Sequence, residues 1–80
     1  MPRFFFHLRG GERIDDEDGM ILDSVEEARL EAVRSAREMM ASEVKRGRLS
    51  LRDQIIIADE NGNPVMAVPF RDALRIKQGR

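Results

Sequence analysis

The sequence predicts an α+β domain, an antiparallel sheet of three to four strands with one long helix packed across it, in the order β-β-α-β-β. Three observations predict it. Residues 24–46 contain no glycine or proline and carry apolar residues at helical spacing. The segments on either side alternate or run apolar over strand-like lengths. Each flanking region also holds a hairpin signal, Gly10-Gly11 in one and Asn61-Gly62 in the other.

The helix has a start and a stop. Ser24 and Glu27 form an S-x-x-E capping box, in which hydroxyl and carboxylate each satisfy a free backbone N–H. Gly47 is placed to end the helix. Glu26, Glu27 and Glu31 lie towards its start and Lys45 and Arg46 at its end, matching the helix dipole. Glu31–Arg34 and Arg34–Glu38 have the spacing of helical ion pairs. Val25, Ala28, Ala32, Val33, Ala36, Met39, Met40 and Val44 make one apolar stripe, alanine-rich in its first half so that the axis can lie close to what it covers.

The remaining segments are predicted as strands. In "RFFFHLR", Phe4, Phe6 and Leu8 share one face and Phe5, His7 and Arg9 the other. Gly10-Gly11 predicts a two-residue turn into a short strand around Glu12–Ile14, which Met20, Ile21 and Leu22 resume. "QIIIAD" and "PVMAVPF" flank "ENGN", whose Asn61-Gly62 predicts a type I′ turn. Pro64 and Pro69 suit the ends of an edge strand, and "FRDALRI" one last helical turn.

Composition narrows the chemistry. Eighty residues predict a single small domain over 1–80, its last few residues disordered. There is no cysteine, so disulfides, zinc–thiolate sites and thiol nucleophiles are excluded. The 14 basic and 15 acidic residues nearly cancel, unlike the excess of positive charge on which a general polyanion binder relies. The signs are uneven along the chain: Glu12–Glu31 is mostly acidic, whereas "KRGRLSLR" and "RDALRIKQGR" are basic. No apolar run approaches the ~20 residues of a membrane span, and the N-terminus lacks the pattern of a signal peptide. A soluble cytoplasmic protein without membrane contact is expected.

"RIDDEDG" at 13–19 is the nearest thing to a chemical motif. An EF-hand loop needs oxygens at positions one, three, five and twelve and glycine at six. With Gly19 at six, Asp16 and Asp18 fall at three and five, but Ile14 and Val25 take the two end positions. A tight turn is the better reading, its glycine at positive φ and its acids bordering the helix start. His7 is the only histidine, and no serine or aspartate is placed beside it as a triad requires. No phosphate loop, dinucleotide fingerprint or H-x-x-x-H pattern occurs. No catalytic residue, metal or cofactor is therefore assigned, and no enzymatic activity is expected.

Arg3, Phe5, His7 and Arg9 interleave cations and rings on one strand, as a face that stacks and neutralises single-stranded nucleic acid would. Only one strand carries the pattern, tyrosine and tryptophan are absent, and the adjoining loop is acidic. Covering of that face by a partner or a second copy is the stronger reading, because Ile55, Ile56 and Ile57 suit a strand buried on both sides.

"MPRFFFHLRGGERIDDEDGMIL", "EEARLEAVRSARE", "DENGNP" and "VPFRDAL" together resemble a family of small uncharacterised bacterial single-domain proteins, a domain of unknown function. Its members typically begin M-P-R, an aromatic pair and F-H. Phe4 stands where tyrosine is common in that family. The resemblance spans nearly the whole chain and implies a stand-alone domain. It transfers no site residues.

The sequence thus points to a non-enzymatic module acting through protein contacts, a homodimer with a further unidentified protein partner. A nucleic-acid-associated regulator using the Arg3, Phe5, His7, Arg9 face and the basic loop after the helix is the alternative. Two expectations are specific. Arg29 falls inside the apolar stripe and should pair with one of Asp15, Asp16, Glu17 or Asp18. The end of the helix should overhang the sheet, exposing Met39, Met40 and Val44, widened by Leu30 and Ala41. Either Leu49 and Leu51 fold back over that patch, or a second copy covers it as a two-fold dimer.

Overall fold

The computed structural model describes residues 2–77 and 79. The disorder expected at the very end concerns in part positions 78 and 80, which lie outside those residues. The chain forms β1 (Arg3–Arg9), β2 (Met20–Ile21), α1 (Val25–Lys45), β3 (Gln54–Ala58) and β4 (Pro64–Pro69), then a 3-10 turn over Phe70–Ala73. The four strands make one antiparallel sheet in the order β2-β1-β3-β4. The helix covers one face of it. The predicted α+β architecture is the observed one.

Local rules set the helix ends. The Ser24 hydroxyl accepts from Glu27 N at 3.2 Å, while the Glu27 carboxylate accepts from Asp23 N, one residue before the position a capping box normally serves. At the other end Gly47 takes φ 87 and donates to Val44 O, and Arg48 N donates to Glu43 O, completing a Schellman motif. The predicted Glu31–Arg34 and Arg34–Glu38 pairs are both present.

The core is narrower than the predicted stripe. Only Ala28, Ala32, Ala36 and Met40 of the helix are buried. They pack with Phe4, Ile55, Ile57, Val68 and Phe70, and Phe6, Leu8, Val33 and Leu51 pack against that cluster. Residues spaced by four wind slowly round the helix, so the line of contact crosses its surface obliquely. Val25 and Met39 lie about a quarter turn off that line at their own levels, and both are exposed. Val44 continues the row beyond the sheet and is exposed as well.

Both hairpins exist, each with a different turn from the predicted one. Leu8 pairs with Ile14 through two backbone bonds, so residues 9 to 13 connect them instead of Gly10-Gly11 alone. Gly11 N donates to the Asp53 carboxylate at 3.0 Å, and this contact with the residue just before β3 draws the loop out of a two-residue turn. The strand expected around Glu12–Ile14 is consequently a single bridge. In the second hairpin Gly62 N donates to Asp59 O, and Asp59 Oδ1 accepts from Asn61 N and Asn63 N. The turn is therefore built on Asp59–Gly62, with the aspartate side chain organising it, and is not a type I′ turn on Asn61-Gly62.

Arg29 also departs from expectation. Its guanidinium holds Glu26 on the same helix, at 2.8 and 3.2 Å, and none of the loop acids. It sits half-buried on the flank of the oblique row, one turn from a carboxylate that it can reach without spanning to the loop. Because such exposed pairs contribute little, Arg29→Met should leave the thermal midpoint unchanged. A fall of several degrees in a melting experiment would contradict this.

Candidate functional site

The acidic loop lies against β1 and not at the helix start. Chain residues 15–19 bow away from β1 between two points of contact, Ile14 opposite Leu8 and Met20 opposite Phe4. Asp16 fills the gap that a strand residue would have occupied. Its Oδ2 accepts from Phe6 N at 3.1 Å, and its Oδ1 accepts from Asp18 N and Gly19 N, each at 3.1 Å. Burial favours the protonated acid, but these three N–H donors outweigh it and hold the Asp16 pKa below the ordinary carboxylate range. Gly19 closes the turn at φ 70, where a Cβ would lie 2.8 Å from Phe4 O.

The same loop occupies the polar groups of β1. Asp16 N donates to His7 Nδ1 at 3.0 Å, so the neutral ring carries its proton on Nε2. Arg9 reaches Asp15 at 2.7 Å, and this hydrogen bond lowers the Asp15 pKa. Arg3 donates to Asp18 O at 2.9 Å. Arg3, Phe5, His7 and Arg9 do share a face, with the rings of Phe5 and His7 stacked at 6.4 Å. Yet both arginines are already engaged within the chain. Asp15 and Asp16 are likewise turned towards Arg9 and the backbone, and among the described residues no three His, Cys, Asp or Glu side chains stand together to hold a metal ion.

The sheet edges are shielded from strand addition. The loop and β2 cover the outer side of β1. At the other edge β4 begins and ends with proline and carries a register shift opposite Ile57–Ala58. Prolines lacking N–H donors and an irregular register are the usual protections of an edge strand.

A groove of about 680 Å³ opens between the C-terminal half of α1, the 9–13 connection and the loop after the helix. Leu8, Ile14, Met39, Met40, Leu49 and Phe70 supply its apolar lining, and Glu12, Glu43, Asp53 and Arg48 its charges. Ile14, Met39 and Leu49 are 54, 40 and 45 % exposed. Of the residues expected to form a contact patch, Met39 lines the groove at its surface and Val44 is exposed beyond it. Met40 belongs to the core, at 4 % exposure. Leu51 folds back against the core and Leu49 does not, so the overhang is half covered. Ile14 and Leu49 were not foreseeable as neighbours, since the groove joins segments far apart in the chain.

The family model for the Domain of unknown function DUF6894 matches residues 3–71. The chain belongs to this family. The match runs from the start of β1 into the 3-10 turn, so the DUF6894 fold includes the sheet, the helix and the acidic loop, while Arg75–Lys77 lie beyond the matched span. No match was found among curated proteins or among solved structures. No helix among the described residues is long and apolar enough to cross a membrane.

Proposed function

We propose that this DUF6894 protein is a non-enzymatic module that works through protein contacts and associates with its own copy. The observation that carries this reading is the groove, where Ile14, Met39 and Leu49 stand exposed together over a floor of buried side chains. Clustered apolar exposure on so small a domain marks a contact surface. The shielded edges favour association through this surface over strand pairing. Nucleic-acid association is less favoured, because Arg3 and Arg9 would have to leave Asp18 and Asp15 before neutralising phosphates.

Sedimentation across the micromolar range tests the reading. The wild type is expected as a dimer, and Met39→Glu should weaken the dimer at least about tenfold while remaining folded, since the side chain already meets water. Met40→Glu is not an equivalent probe; it buries a carboxylate in the core and should unfold the domain. A wild-type monomer throughout the range would refute self-association.

A further inference from the structure

We propose that the segment Arg75–Lys77 of one copy docks in the groove of a second copy, so that association proceeds by reciprocal exchange of these segments. This rests on the self-association reading and names the occupant of its surface. The 3-10 turn ends at Ala73, and Leu74 after it, extended at φ −125 and ψ 153, packs against its own chain's core. From there apolar and basic residues alternate: Leu74, Arg75, Ile76, Lys77. Ile76, at 58 %, is the most exposed large apolar side chain among the described residues. Arg75 and Lys77 on either side of it take part in none of the described ion pairs.

The groove is the complement of that pattern. It offers an apolar floor, and of its charges Arg48 is paired to Glu43, which leaves the carboxylates of Glu12 and Asp53 with no cation among the described ion pairs. One isoleucine flanked by two cations fits such a surface in both hydrophobicity and charge. The segment does not occupy the groove of its own chain, whose lining includes none of Arg75–Lys77. Arg37 Nε donates to Ala73 O at 2.7 Å, fixing the point of departure. Exchange about a two-fold axis fills both grooves and closes the assembly.

Sedimentation of three chains decides it: the full chain, a chain ending at Leu74, and Ile76→Asp. The methyl signal of Met39 is followed by NMR on dilution of each, and circular dichroism checks that the variants fold. The expected result is a full-chain dimer whose dissociation moves the Met39 methyl. Both variants should be folded and at least tenfold weaker in association. A shortened chain that dimerises as tightly as the full one overturns the exchange and leaves self-association standing. A full chain that stays monomeric overturns both.

Discussion

Replacing Ala32 with leucine is expected to lower stability by about 3 kcal/mol, at the upper end of what overpacking costs. Ala28, Ala32 and Ala36 have no solvent exposure, and they belong to the same cluster as Ile55 and Ile57. With only methyl groups between them, backbone and strand side chains come close. Three added carbons at the middle of that row have no path to the surface, so the helix must lift from the sheet. A domain of this size has a total stability of roughly 4–12 kcal/mol, so the loss should appear as a large fall in the urea midpoint. Leu30→Ala on the solvent side, where the leucine is 53 % exposed, is the control and should shift the midpoint little. Equal, mild effects of the two substitutions would mean that the alanine row is not closely packed.

What the sequence made legible follows the range of the interactions. Ser24, Glu27 and Gly47 act within a few residues of their positions, so both ends of the helix could be read directly. The hairpins were legible as hairpins, but their turns were not. Asp53 lies far along the chain from Gly11, and nothing local announces that its carboxylate will take that N–H. Asp59 was the nearer miss, because an aspartate bonding backbone two and four residues on is a local signal. Periodicity put Met39 and Met40 in one stripe. Which of them meets the sheet depends on where the strands end beneath the helix, and that is a property of the assembled fold. Arg29 pairs with Glu26 one turn away on its own helix, a local partner that needs no contact across the fold. The groove was the least legible feature, since it draws on residues from Leu8 to Phe70.

Asp16→Ala is the second large effect, with an expected loss of about 2 kcal/mol. Three backbone N–H groups converge on this carboxylate, and charge-assisted bonds of this kind contribute more than neutral ones. The loop is open to water on its outer side, which screens the charge and keeps the figure well below the sum of three such bonds. Without the carboxylate, Phe6 N on the edge of β1 loses its partner, and the turn that brings Gly19 under Phe4 O loses two more. Asp16→Asn keeps an oxygen for part of the set and should fall between wild type and alanine. The pH dependence follows from the lowered pKa of Asp16. A carboxyl group that ionises more readily when folded contributes stability in full above its unfolded pKa, about 3.9, and loses it as pH falls through the lower folded value. The gap between wild type and Asp16→Ala should therefore stay constant through neutral pH and narrow once pH falls below about 4. Urea unfolding of both chains from pH 7 down to pH 3 measures it. A gap that is absent at neutral pH, or that widens in acid, would show that Asp16 is not the group holding the loop against β1.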